Sequence, residues 1–175
     1  MSDINSSQSP FPPEQIGAFL RLCDGEWMSL RSQFALGAIS ATDSDSAEDL
    51  DDDGDAWHSS ERGELVVAFL EAEAAGGAGG LQVGPKDALA PQQLHFDADG
   101  GFRSGEQQGR WQLWPDGSLE LVITGNGREV RERIWFTKPN LRLRSTVETG
   151  VDGSPGRASF SSEIRRVSRP TAPAS

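Results

Sequence analysis

The sequence is poor in the residues that build several common kinds of site. It has one cysteine, Cys23, and two histidines, His58 and His95, in 175 residues. A single cysteine excludes an internal disulfide and is typical of a reducing cytoplasm. Two histidines are too few for a convincing metal site unless acidic residues complete it. We therefore expect a cytoplasmic protein that binds no metal.

Long apolar runs and excess positive charge are missing as well. No apolar stretch approaches the roughly 18 residues that span a membrane, and the polar N-terminus lacks the pattern of a signal peptide. The formal net charge is −11, whereas nucleic-acid binding depends on basic residues that neutralise phosphates. We expect neither membrane insertion nor a nucleic-acid partner.

The negative charge is concentrated in residues 43–55, "DSDSAEDLDDDGD", which hold eight acids and no base. The rest of the chain is nearly balanced, with 19 acidic against 16 basic residues. Part of the run resembles a calcium loop, because Asp49, Asp51 and Asp53 occupy loop positions 1, 3 and 5. Position 12, which needs a bidentate glutamate, is Ser60. A solvated acidic loop is the preferred interpretation.

One helix is expected near the N-terminus, in "SPFPPEQIGAFLRLCDG". Prolines precede it and Gly25 follows it, which are start and stop signals of helices. Its apolar residues recur on one face at spacings of three and four: Ile16, Phe19, Leu20 and Cys23. Cys23 is therefore predicted to be a buried packing residue rather than a nucleophile.

After Gly25 the apolar residues alternate with period two, and about nine short strands follow. The segment "RGELVVAFLEAEA" fits a helix or a strand by periodicity, and its Val-Val pair and bounding glycines favour a strand. "GGAGG" (76–80) is interpreted as a flexible break. Two Asp-Gly pairs, at 99–100 and 116–117, are hairpin signals between strand-like runs.

This pattern predicts an all-β fold, namely an antiparallel barrel of about eight to ten strands whose N-terminal helix closes one end. A barrel is preferred to a sandwich because the polar strand residues need an interior to face. We expect one domain over residues 10–167, with disordered ends at 1–9 and 168–175.

Five charged residues within strand patterns are the candidates for ligand chemistry: Arg31, Glu132, Arg142, Arg144 and Glu163. Taken singly, strand arginines more often face solvent and pair weakly with surface acids. When nearby aromatic residues, including Trp135 and Phe160, are considered as well, a cavity lined by these residues becomes an interpretation comparable to solvent-facing arginines.

The register of the hairpin around residues 137–140 decides between these interpretations. A four-residue loop would place Trp135 opposite Arg142 and leave Glu132 on the other face of the sheet. A bulge, or a loop of three or five residues, would put Glu132 on the same face as Arg142 and Arg144. Sequence alone leaves both arrangements open.

The same hairpin carries a family resemblance. "ERIWFTKPNLRLRSTV" followed by "ASFSSEIRR" resembles the S/U-type phycobiliprotein lyases, the CpcS/CpeS family, and "FLRLCDGEWMSLRS" resembles their helix and first strand. The match covers roughly 14–34 and 109–166 and is poor over 38–108. The acidic run and "QQLHFDADG" depart from the family pattern, so no ligand contacts are carried over from that region.

The resemblance implies a lipocalin-like (calycin) barrel that carries an open-chain tetrapyrrole, phycoerythrobilin or phycocyanobilin. Such lyases attach the pigment by a thioether to a cysteine of an apo-phycobiliprotein alpha or beta subunit. At the matching positions Glu132 and Arg142 would be the activity-critical pair. The remaining expected pigment contacts are Arg31, Arg144, Thr146 and Glu163, with Trp135 and Phe160 as aromatic walls.

Two other functions stay open at this point. The protein could be a non-catalytic bilin carrier or the partner subunit of a heteromeric lyase. It could also be a barrel of the fatty-acid-binding type, which likewise sets arginines against a carboxylate. A homodimer and a heterodimer with a related lyase are both compatible with the sequence.

Overall fold

A computed structural model describes residues 10–39, 58–73 and 76–168. The predicted disordered N-terminus (1–9) and all but the first residue of the predicted tail (168–175) lie outside this range. The acidic run 43–55, with the calcium-loop residues Asp49, Asp51 and Asp53, lies outside it too.

The described residues form a closed antiparallel barrel of ten strands in which each strand pairs with its neighbours along the chain and β1 pairs with β10. The strands are β1 Gly25–Ala35, β2 His58–Leu70, β3 Gly77–Pro85, β4 Gln92–Asp97, β5 Gly101–Ser104, β6 Gln107–Leu113, β7 Leu119–Gly125, β8 Arg128–Lys138, β9 Leu141–Gly150 and β10 Pro155–Arg165. The helices are α1 Ile16–Cys23 and the short α2 Leu36–Ile39. The predicted fold class is confirmed. None of the helices in the described ranges is long and apolar enough to cross a bilayer.

The helix α1 closes the end of the barrel at which β1 begins and β8 ends. Its residues Phe19, Leu20 and Cys23 are fully buried. The Phe19 ring meets the Phe136 ring edge-on at 5.3 Å, an arrangement that aromatic pairs favour. The amphipathic face predicted from sequence is therefore the face that plugs the barrel.

Arg165, at the end of β10, holds α1 against the barrel. Its guanidinium donates hydrogen bonds to the backbone carbonyls of Leu22, in the last turn of α1, and of Asp24, which follows the helix. It also lies 4.3 Å from the centre of the Trp27 ring. A cation at the C-terminus of a helix is favourable because the last carbonyls of the helix carry partial negative charge.

The two Asp-Gly hairpins are confirmed, as is the strand assignment of "RGELVVAFLEAEA", which contributes residues to β2. The expectation of a break at 76–80 is wrong, because residues 77–80 begin β3 and pair with β4. Glycine is used here for close packing: a Cβ on Gly79 would lie 2.9 Å from the Phe69 ring, and its φ is +109°. Both features exclude larger residues.

The hairpin between β8 and β9 contains a bulge, since the register shifts between Phe136 and Lys138. Phe136 lies opposite Arg142, and Glu132 lies opposite Thr146. The bulge therefore places Glu132 on the inner face, together with Arg142 and Arg144. Of the two registers that the sequence allowed, this is the one that gathers the charged residues inside.

Candidate functional site: a charged ladder inside the barrel

The deepest charged pair joins β9 to β10. Arg142 and Glu163 are opposite each other in the register, and Arg142 Nε donates a hydrogen bond of 2.5 Å to Glu163 Oε2. Their side chains are only 1% and 3% exposed. The Arg142 guanidinium also lies 4.6 Å from the centre of the Trp27 ring. Because the pair is buried, removing either residue would leave an uncompensated charge inside the barrel and would destabilise the protein.

Arg144 extends the pair toward the open end of the barrel. Its Nη2 lies 3.4 Å from Glu163 Oε1 and its Nη1 lies 3.6 Å from Glu132 Oε1. The Thr146 hydroxyl donates to Glu132 Oε2 at 3.3 Å. We call this set the charged ladder: Arg142, Glu163, Arg144, Glu132 and Thr146. Its two arginines and two glutamates cancel in formal charge.

The environment shifts the pKa of one group of the ladder, Arg144, and of one group beside it, Cys23. Burial acts to lower the pKa of Arg144, but Glu132 and Glu163 outweigh it and raise this pKa above its usual value. Burial raises the pKa of the Cys23 thiol, although the nearby Arg142 opposes the shift. Arg144 is therefore a permanent cation, and Cys23 is a protonated thiol with little nucleophilic character at neutral pH.

Two buried donors of the ladder have no acceptor among the described residues. Arg142 Nη2 and Arg144 Nε are buried and have no hydrogen-bond partner within the part of the chain that the structure describes. An unsatisfied buried donor costs roughly 1–3 kcal/mol, and more when the group is charged. Acceptor oxygens on a bound ligand would remove that cost.

Residues of the ladder line two adjoining cavities. The inner chamber, about 120 Å³, lies inside the barrel and its walls are mainly apolar: Leu81, Val83, Leu94, Phe96, Phe102, Leu119, Leu121, Ile123, Val130 and Ile134. The mouth pocket, about 560 Å³, is open and polar. Both cavities share Gln92, Glu132 and Arg144 as lining residues. A ligand that occupies both cavities must pass along the ladder.

Arg31 and Thr146 lie in the mouth pocket, as the sequence interpretation expected of cavity residues. Arg31 Nη2 donates to the Ser159 hydroxyl at 3.4 Å. Among the described residues, no carboxylate lies within ion-pair distance of Arg31. This exposed guanidinium is thus available to an acidic group of a ligand.

Trp135 and Phe160 are the two predicted site residues that lie elsewhere. Their rings pack against each other at 6.3 Å on the outer surface of the barrel, and neither lines the inner chamber or the mouth pocket. The reason is the alternation of strand residues: Glu132, Ile134 and Phe136 point inward, so Trp135 points outward. The expectation that these two rings wall the cavity is wrong.

Two residues of the interior carried no role in the sequence interpretation. Trp27 has no named role in the sequence interpretation, yet it is fully buried and lies beside both Arg142 and Arg165. Its inward position follows from its spacing to Ser29 and Arg31 on β1. Gln92 lies between the two cavities and donates to the Ser104 hydroxyl at 2.6 Å. No sequence signal distinguishes Gln92 from its neighbour Gln93.

Fold and site together define a ligand-binding antiparallel barrel with a charged interior. The chain belongs to the CpcS/CpeS chromophore lyase family. It is 44% identical over 162 residues to chromophore lyase CpcS/CpeS 1 of Paulinella chromatophora, covering 91% of this chain and 92% of that protein. It is 43% identical to chromophore lyase CpcS/CpeS 1 of Trichodesmium erythraeum over 68 residues, 39% of this chain and 38% of that protein. A family model described as CpeS-like protein matches residues 99–166.

Solved structures share the fold. The S-type phycobiliprotein lyase CpeS from Guillardia theta superposes with a TM-score of 0.65 at 19% identity, over 90% of this chain and 96% of that one. A DUF3598-family protein of unknown function from Nostoc punctiforme has a TM-score of 0.52 at 14% identity, over 84% of this chain and 49% of its own. At these identities the likeness concerns the barrel itself.

Proposed function

We propose that this protein binds an open-chain tetrapyrrole, a bilin, and attaches it to a cysteine of an apo-phycobiliprotein subunit. The observation that carries the proposal is the charged ladder shared by a narrow, mainly apolar chamber and a wider, polar pocket, in a chain of the chromophore lyase family. The mouth pocket alone falls within the roughly 300–1,000 Å³ of small-molecule sites. Phycoerythrobilin and phycocyanobilin are the proposed pigments, and an alpha or beta subunit is the proposed acceptor.

The ladder and the mouth pocket together supply the groups that a bilin needs. A bilin has two propionates, and the exposed Arg31 offers a planar fork of donors to a carboxylate. The pyrrole nitrogens of the pigment are donors, and Glu132 at the junction of the two cavities is an anion that can accept from them. A carboxylate at this point favours the protonated pigment, in which the conjugated system withdraws electrons from ring A.

The bond is formed by addition, so nothing leaves and no oxidant is required. The acceptor's thiolate attacks the exocyclic double bond of ring A to form a C–S bond, and a proton is delivered to the neighbouring ring carbon. The protein's own Cys23 is excluded as the acceptor because it is completely buried on the inner face of α1. In this scheme Glu132 and Arg142 position and polarise the pigment, while the nucleophile comes from outside.

Bilin binding by the purified protein tests the first half of the proposal. We expect phycocyanobilin or phycoerythrobilin to bind with a change in visible absorbance, and Glu132→Gln to weaken that change. Glu120→Gln is the matched control, because Glu120 pairs with Arg131 in the outer charge pattern and lines neither cavity. Binding without transfer to an apo-subunit would favour a carrier or a heteromeric partner. Fatty-acid binding without bilin binding would favour the lipid-binding alternative.

A further inference from the structure

We infer that the bilin enters the barrel with its unreactive terminal ring first. Ring D then fills the inner chamber, and ring A stays in the mouth pocket. The inference rests on the proposed function and concerns how the pigment is oriented. Three features of the interior support it: the size of the inner chamber, its narrower opening and the polar group in its wall.

The size of the inner chamber admits one ring of the pigment. Its volume is about 120 Å³, somewhat less than the roughly 150 Å³ of an engineered cavity that holds one benzene molecule. A single pyrrole ring with small alkyl groups is of this order of size. The other three rings must therefore lie along the ladder and in the mouth pocket, which has about 560 Å³.

The difference in access between the two cavities decides which end of the pigment can react. The inner chamber is much smaller and less open than the mouth pocket, and the barrel end at α1 is filled by the buried Phe19, Leu20 and Trp27. A cysteine of a folded acceptor protein therefore reaches a ring in the mouth pocket more readily than a ring in the inner chamber. The ring that receives the thiol is accordingly assigned to the mouth pocket.

The polarity of the inner chamber matches a terminal lactam ring. Arg142 lines the inner chamber but not the mouth pocket, and its buried Nη2 has no partner among the described residues. The ring D carbonyl is a neutral acceptor that could take this hydrogen bond. Because Glu163 already balances the charge of Arg142 at 2.5 Å, a propionate placed here would be an excess buried anion.

In this orientation the two propionates lie in the mouth pocket, where Arg31 forms no ion pair with the described residues. They are carried by the two central rings, B and C, which lie outside the inner chamber when ring D fills it. Arg31 in the mouth pocket has no carboxylate partner among the described residues and is solvent-exposed. Its guanidinium, which forms no direct ion pair in the described part of the chain although Glu61 lies opposite it in the register, suits a propionate that remains partly hydrated.

Bilin homologues with one added methylene group test the orientation. One homologue carries the extra methylene on the ring D substituent and the other carries it on the ring A ethylidene group. We expect the ring D homologue to bind about tenfold or more weakly than its parent, because a closed apolar pocket discriminates a methylene by about 10–200-fold. The ring A homologue should bind the unmodified protein as tightly as the parent.

A space-making variant supplies the matched test. Leu121 lines the inner chamber, so Leu121→Ala should restore binding of the ring D homologue relative to its parent. Val67→Ala is the control, because Val67 is buried in the same core without lining the chamber. If Leu121→Ala does not fold, Leu94→Val opens the same chamber more mildly.

The outcomes separate this inference from the function on which it rests. Exclusion of the ring A homologue, with restoration by Leu121→Ala, would show that ring A enters first and would overturn the orientation. Equal binding of both homologues by the unmodified protein would also overturn it, with bilin binding intact. No binding of either parent pigment would overturn the proposed function and this inference together.

Discussion

Glu163 is the carboxylate on which the interior charge balance depends most. It accepts the hydrogen bond of Arg142 and lies within ion-pair distance of Arg144. The pair with Arg142 is the least exposed in the described part of the molecule. Removing one partner of such a pair leaves an uncompensated buried charge, which is far more costly than losing a surface ion pair.

We therefore expect Glu163→Gln to lower the free energy of unfolding by about 3–5 kcal/mol. Urea denaturation of the purified variant measures this loss. Glu71→Gln is the matched control, since Glu71 forms an exposed pair with Arg21 and should change stability by at most about 1 kcal/mol. Equal losses in the two variants would contradict the account of the buried pair.

The reactivity of the Cys23 thiol tests whether pigment transfer uses a cysteine of this protein. Because burial raises its pKa, the thiol of the folded protein should stay protonated and resist alkylation by iodoacetamide at pH 8. The same reagent should modify it completely after denaturation. Mass spectrometry of this single cysteine gives the readout, and rapid modification of the folded protein would contradict the prediction. Cys23→Ser should retain pigment transfer, because the nucleophile belongs to the acceptor.

At the scale of elements, the attachment of α1 to the barrel depends on β10. Arg165 reaches the carbonyls at the end of α1 and lies beside Trp27, whose indole donates to the Cys23 carbonyl at 2.9 Å. Trp27 in turn lies beside Arg142. The plug and the ladder are thus joined through one buried aromatic ring.

We expect Arg165→Ala to destabilise the protein and to raise hydrogen–deuterium exchange in α1. Its neighbour provides the control: Arg166 pairs with Glu64 on the surface, so Arg166→Ala should cost at most about 1 kcal/mol and leave α1 protected. Exchange measured by mass spectrometry distinguishes the two variants. Unchanged protection of α1 in Arg165→Ala would contradict the proposed fastening.

The strands illustrate what sequence patterns can predict here. Alternation and Asp-Gly turns were sufficient for an antiparallel barrel, because both signals are local. The inward position of Glu132 was not predictable, because it depends on a one-residue bulge between Phe136 and Lys138. The same one-residue uncertainty misplaced Trp135, since a shift of one position moves a side chain to the other face.

At the glycines of β3 the sequence pattern predicts a break where the structure has a strand. "GGAGG" has the composition of a flexible linker, yet residues 77–80 belong to a strand. The cause is packing against residues that are distant in sequence: Gly79 must leave room for the Phe69 ring. Close approach of this kind has no local signal, so a glycine-rich run can be mistaken for a break.

At the scale of the whole molecule, apolar and polar lining residues fall on different strands of the barrel. The inner chamber is lined mainly by apolar residues of β3, β4, β5, β7 and β8, whereas the mouth pocket is lined mainly by polar residues of β1, β2, β9 and β10. Glu132 and Arg144 line both cavities. In the proposed orientation, the unreactive ring of the pigment takes the apolar side and the reacting ring stays on the polar, more open side.

The central claim is that the protein transfers a bilin to another protein by means of the ladder. The most direct measurement is coexpression with a bilin-synthesis pathway and candidate apo-phycobiliprotein subunits, followed by fluorescence of a denaturing gel. We predict a fluorescent acceptor band that depends on this protein and is lost with Glu132→Ala or Arg142→Ala but kept with Glu120→Gln. A band that survives loss of both ladder residues, or no band with any subunit while the protein itself is pigmented, would contradict the claim.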